Sequence, residues 1–140
     1  MRVDFHAHTK KCKDGDGEKR IINPSNFVQK MKKNDVVMCA ITNHNKFFID
    51  EYQEIKELDP DLVIFPGIEL DVIQEENHYH CILICDPNVM EKFAKSFDND
   101  VERNPNSFVL QYFDFLAKIK EFDNNKIIII PHFFNKQRGF

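Results

Sequence analysis

Asp4-Phe5-His6-Ala7-His8-Thr9 is the stretch on which the fold of this chain turns. Residues i and i+2 of an extended strand face the same side and lie roughly 6.6 Å apart, so a strand running into His6 and His8 aims both imidazoles at one point. The other histidines are His44, His78, His80 and His132, making six in all, and nearly all of them stand where an apolar, β-branched run ends. Placement of that kind points to a metal site at the ends of strands.

Outward from this stretch the chain alternates strand and helix. Strands are expected at residues 2–5, 36–41, 62–65, 81–84 and 126–130, each dense in Val, Ile, Leu or Phe as parallel strands covered on both faces are. Helices are expected at residues 24–33, 49–58, 87–97 and 105–122. Three of them open with Asn23-Pro24, Asp86-Pro87 or Asn104-Pro105, a capping side chain followed by proline at the first helical position. Ile49, Tyr52, Ile55 and Leu58 form one apolar stripe, and Val109, Tyr112, Leu116, Ile119 and Phe122 another. The fold class is therefore α/β, built of parallel βα repeats.

Polar residues gather where these strands end: His6 and His8 after the first, Asn43-His44-Asn45 after the second, Gly67-Ile68-Glu69 after the third and Pro131-His132 after the fifth. Catalytic residues of βα-barrels collect at the carboxyl ends of strands in the same way. His78-Tyr79-His80 precedes the fourth strand, so its ligand has to project inward from the strand itself.

At 140 residues with 42% hydrophobic side chains and fourteen phenylalanines, the chain forms one domain with a real core. A net charge of −4 argues against a broad basic face for nucleic acid, although Lys10, Lys11 and Lys13 are locally positive. No apolar stretch is long enough to span a bilayer, and a cytoplasmic location is expected. Cys12, Cys39, Cys81 and Cys85 lack the paired CxxC spacing of a structural zinc site and read as buried, reduced thiols, with Cys12 a minor candidate for a soft ligand.

Taken in order, Asp4-Phe5-His6-Ala7-His8-Thr9, Ile41-Thr42-Asn43-His44-Asn45, Pro66-Gly67-Ile68-Glu69-Leu70, His80-Cys81-Ile82-Leu83-Ile84 and Ile130-Pro131-His132 resemble the successive motifs of the PHP superfamily, named for polymerase and histidinol phosphatase. The His-Thr-Lys-Lys start, the Thr-Asn-His-Asn motif and the tail from Pro131 to Gly139 look most like the N-terminal PHP segment of TrlF-like AAA-type ATPases. The resemblance implies a distorted (β/α)7 TIM-like barrel and up to three divalent cations, commonly zinc, manganese or iron, that hydrolyse a phosphate ester. His6, His8 and Glu69 would hold the first, with Glu69 bridging to a second held by His80 and His132. His44, with an acid such as Asp14, would hold a third. Glu69, His132 and His44 would stand at the reaction itself.

Three departures qualify the likeness. Asn43-His44 replaces the family's Asp-His pair, Lys13-Asp14-Gly15 stands where the family has a Ser-Asp-Gly-like element, and the Gly-x-Asp-x-His type motif of the family's last strand is not found. Five strands also fall short of a closed barrel, since eight βα units occupy about 250 residues. Residues 1–140 therefore read as the front part of the barrel, cut short of its closing strands, with an ATPase region expected to follow. The last strand, at residues 126–130, is then an exposed edge suited to self-association.

A carboxylate between two cations can hold them about 3.5–4 Å apart, a pairing that activates water and stabilises a leaving oxygen. Against phosphoester hydrolysis stand two other readings: a metal-binding regulatory module of an ATPase that has lost activity, and an amidohydrolase-type C–N hydrolase, whose barrels also begin with HxH. His44 alone is more often a capping or core residue, Glu69 after Pro-Gly a turn carboxylate, and His78 a solvent-facing side chain. Lys136 and Arg138 are candidate phosphate contacts or a solvated tail.

Overall fold

The computed structural model describes residues 1–10, 12, 21–97 and 110–132. β1 (Arg2–Ala7), β2 (Val36–Ile41) and β3 (Val63–Gln74) run parallel and adjacent, with α1 (Pro24–Lys33) and α2 (Ile49–Leu58) as the crossovers. This is the expected run of parallel βα repeats. Asn23 caps α1, its side chain accepting from the Asn26 backbone N–H at 2.8 Å with Pro24 at the first position. β4 (Asn77–Cys85) and β6 (Ile127–His132) extend the sheet in the order β1-β2-β3-β4-β6, and the two-residue β5 (Leu110–Gln111) pairs with β3 off that path. Asp86 caps a 3-10 turn at Pro87–Val89, which leads into α3 (Met90–Phe97), and α4 (Tyr112–Ile119) precedes β6.

One strand departs from the parallel pattern. β4 folds back antiparallel on β3, and β6 is antiparallel to β4. The connection is a two-residue turn, Glu75-Glu76, with Glu75 at φ 56°. Tight hairpins need such left-handed residues, and their usual signal is Asn-Gly or Asp-Gly. Glu-Glu carries no such signal, so the hairpin was not legible. It also lengthens β3, so Glu69 lies inside a strand rather than in a turn after one.

Gly67 is where β3 changes partner, pairing through Pro66 with β2 and from Gly67 onward with β4. A Cβ there would sit 2.9 Å from Thr42 Cγ2, 3.0 Å from the Ile41 carbonyl oxygen and 3.1 Å from that of Leu83. Only glycine lets three backbones come so close.

Strand alternation then divides the sheet into two faces. Cys39, Ile41, Ile64, Ile68, Leu70, Val72, Cys81 and Leu83 pack with Phe27, Tyr52, Ile55, Phe93 and Phe97 in the main core. The opposite face carries a smaller cluster of Ala40, Ile82 and Ile84 with Phe5, Phe65 and Ile130. Glu69 and Asp71 alternate with Ile68, Leu70 and Val72, and His80 is two residues from Ile82, so all three belong to that second face. In α2, Tyr52 and Ile55 are in the core, but Leu58 is 49% exposed. Steps of three residues at about 100° each drift backward around a helix, and after nine residues Leu58 points opposite to Ile49.

Candidate metal centre

Four imidazoles surround one buried carboxylate. Glu69 is 1% exposed. Its Oε2 lies 2.9 Å from His6 Nε2, 3.1 Å from His8 Nε2 and 3.5 Å from His44 Nε2. Its Oε1 faces the other way, 3.1 Å from His80 Nδ1. His6 Nε2 and His8 Nε2 are themselves 3.0 Å apart. Ligand atoms around a cation with bonds of about 2.0–2.1 Å are separated by roughly 2.9 Å in octahedral and 3.4 Å in tetrahedral geometry. His6, His8 and Glu69 match that spacing, and neutral imidazole with carboxylate suits zinc, iron or manganese. A second group that could hold an ion comprises His44, Asp71 and His80.

Different devices hold these side chains. β1 is irregular between Asp4 and Ala7, where three residues advance against two of β2. A bulge of this kind re-aims side chains, and here the His6 backbone N–H donates to Asp4 Oδ1 at 3.0 Å. His8 lies beyond the strand. Its neighbour Thr9 donates its backbone N–H to Asn43 Oδ1 at 2.9 Å, Lys10 donates to the same oxygen at 3.0 Å, and Asn43 Nδ2 donates to Thr9 Oγ1 at 2.9 Å. The Thr9 hydroxyl in turn donates to buried Glu51, which pairs with Lys10 Nζ at 3.3 Å. Asn43 therefore stitches the loop after β1 to the loop after β2. His44 follows directly, 4% exposed and stacked on His8 with ring centroids 4.8 Å apart. The Asn43 carbonyl accepts from the Glu69 N–H at 3.0 Å and the Asn45 N–H donates to the Glu69 carbonyl at 2.8 Å, pinning His44 beside β3.

Burial alone would raise the Glu69 carboxyl, but hydrogen bonds from His6, His8 and His80 and the nearby charge of His44 hold it well below the usual carboxylate range. Hydrogen bonds to Asp71 and then Glu69 outweigh burial at His80 and lift its imidazole to about 9. Burial pushes the thiols of Cys39, Cys81 and Cys85 up to about 12, so they stay protonated. Both candidate ion groups lack cysteine.

The profile of the PHP domain matches residues 4–127 of this chain. The chain belongs to the PHP domain family. No curated protein sequence matches it. Among solved structures it is similar to a protein from Bifidobacterium adolescentis that carries the assignment of metal-dependent phosphoesterase, at 20% identity and a TM-score of 0.49 over 87% of this chain and 45% of that one. It is similar also to an amidohydrolase from Chromobacterium violaceum, at 16% identity and a TM-score of 0.44 over 67% of this chain and 31% of that one. The chain thus spans less than half the length of either.

Within this PHP domain, His6, His8, His44, Glu69 and His80 come together, as the motifs imply. His78 is exposed and belongs to neither candidate group. β6 sets the His132 backbone opposite His80, but the His132 side chain lies outside the described residues, as do Asp14, Lys136 and Arg138. Cys12 is half-buried, with Sγ 4.0 Å from the Lys10 carbonyl oxygen. Asp71 was missed by sequence reasoning, although the rule that pairs His6 with His8 also pairs Glu69 with Asp71 on one face. Asn43 and Asn45 gave no chemical signal because their work is hydrogen bonding. Among the described residues no helix is long and apolar enough to cross a membrane.

Proposed function

We propose that this chain is the metal-holding part of a phosphoesterase acting on a nucleotide, a small phosphomonoester or a nucleic-acid end. PHP membership and the histidine–carboxylate cluster support metal-dependent hydrolysis in general. The observation that carries the finer reading is the division of Glu69: one oxygen faces His6, His8 and His44, the other faces His80. A carboxylate divided in this way could serve one cation with each oxygen. In this reading His6, His8 and Glu69 hold the first, Glu69, His80 and His132 the second, and His44 with Asp14 a third. Cations so held would supply Lewis acidity at a phosphoryl group and a lowered pKa for a bound water. Glu69 remains ionised through the working range and keeps the imidazoles facing inward. His44, whose Nε2 lies 3.5 Å from the same carboxylate oxygen, would act in the reaction as a ligand of that third cation. The likeness of the Pro131–Gly139 tail to TrlF-like proteins supports a cytoplasmic setting beside an ATPase region.

The test is hydrolysis of p-nitrophenyl phosphate and bis(p-nitrophenyl) phosphate by chelator-treated protein refilled with manganese or zinc. Metal-dependent turnover is expected, falling at least about a hundredfold in Glu69→Gln, which keeps the size and removes the bridging charge. Turnover that survives Glu69→Gln unchanged rejects the reading, and an amide cleaved faster than any phosphate ester moves it to C–N hydrolysis.

A further inference from the structure

The hairpin places a second carboxylate against the metal centre. Asp71 and His80 are directly opposed across β3 and β4, the arrangement in which cross-strand side chains lie closest on a shared face. Asp71 Oδ1 is 2.9 Å from His80 Nε2, while His80 Nδ1 is 3.1 Å from Glu69 Oε1. The ring thus has a carboxylate oxygen beside each nitrogen, hydrogen-bonded at Nδ1 and at ion-pair distance at Nε2, and the two contacts differ. Glu69 also faces three other imidazoles, whereas the second oxygen of Asp71 faces away from His80 and accepts from Asn45 Nδ2 at 3.0 Å. The Asp71 backbone N–H donates to Asn45 Oδ1 at 2.8 Å. Asn45 sits at φ 55°, a left-handed conformation that asparagine tolerates better than most residues. Asp71 itself is 9% exposed, so water does not compete freely for its oxygens.

We infer that Asp71 is a positioning residue that holds the proton of His80 on Nε2 and turns the Nδ1 lone pair toward the cation beside Glu69. A neutral imidazole carries one N–H and one lone pair, and the partner of one nitrogen decides what the other can do. A carboxylate hydrogen-bonded to the far nitrogen of a metal-ligating histidine fixes the ring and raises its basicity, and removing it typically weakens metal binding 10–100-fold. Asn45 extends the chain outward, so that Asn45, Asp71, His80 and Glu69 form a line from the loop after β2 to the centre. The inference rests on the metal-centre reading above. It adds a residue that the HxH, Asn-His and Glu motifs do not contain.

Zinc-loaded protein carrying 15N-labelled histidine tests it through long-range proton–nitrogen spectra, which separate the two tautomers of each ring. His80 is expected to carry its proton on Nε2 and the metal on Nδ1. In Asp71→Asn the His80 signals should shift, and the weaker of two zinc-binding events should weaken by 10–100-fold, while the event assigned to His6 and His8 keeps its affinity and reports that the fold is intact. Asp71→Glu should recover part of the loss. Metal on His80 Nε2 overturns the inference, because Asp71 and His80 would then share a cation as ligands together with His44. Unchanged His80 signals and zinc affinities in Asp71→Asn also overturn it. Wild-type protein that is folded but binds no zinc removes the metal-centre reading along with it, a result distinct from either.

Discussion

The two halves of the metal centre are delivered by different means. From the parallel side, His8 and His44 arrive on loops just past β1 and β2, and they are held by side chains: Thr9, Asn43 and Glu51 form a buried hydrogen-bonded stitch between those loops. From the hairpin side, Glu69, Asp71 and His80 project from the interiors of β3 and β4, where eight consecutive residue pairs hold the backbone in register. A ligand on a loop needs neighbours devoted to it. A ligand within a ladder needs only to be on the correct face.

The largest break in that comparison is to empty the loop side altogether. His6→Ala with His8→Ala removes two of the three donors of the first group, and elemental analysis of refilled protein should show metal content falling to less than half of wild type. Substoichiometric metal in folded wild-type protein would show that the geometry binds no ion tightly. Next comes the stitch: Asn43→Ala leaves the buried N–H of Thr9 and the half-buried N–H of Lys10 without their acceptor, and should cost about 1–3 kcal/mol in denaturant unfolding. The hairpin residues should keep their hydrogen-exchange protection in that variant, and equal loss on both sides would erase the distinction.

Acid and base probe the centre without mutation. In metal-free protein the raised His80 value means that its contribution to stability is complete below its ordinary 6.5 and is lost as pH climbs through about 9. Glu69 runs oppositely: its depressed value gives stability that is present above the ordinary 4.5 and is lost as pH falls further. Thermal midpoints of the metal-free protein should therefore decline above about pH 6.5, and Asp71→Asn should flatten that decline. The smallest effect is expected at His78, exposed on β4 one strand step from the centre: His78→Ala should leave metal content and stability within error.

The parallel half was legible from residues alone. Asn23-Pro24 marks α1, the apolar run Val36–Ile41 is β2 as expected, and His6, His8 and His44 end where the periodicity puts them. The hairpin half was not, because Glu75-Glu76 hides a turn that geometry alone reveals, and because a strand expected to stop at residue 65 leaves Ile68-Glu69-Leu70-Asp71-Val72 beyond its end, where the structure has an alternating strand with a charged face. Asp71 was lost with it. The stitch was illegible for another reason: Thr9, Asn43 and Glu51 are each common surface residues, and only their meeting across 34 and 42 positions gives them a role.

The buried thiols of this PHP domain have a practical side. Burial raises the thiols of Cys39, Cys81 and Cys85 far above neutrality, so they carry little reactive thiolate, and their side chains are enclosed by the main core. Cys12 is the only one of the four that is not buried, and it stands four residues beyond His8. A maleimide dye or nitroxide added to the native protein thus selects a single attachment point, four residues along the chain from His8, without any cysteine having to be removed. Paramagnetic broadening from manganese would then read the occupancy of the site directly from that label.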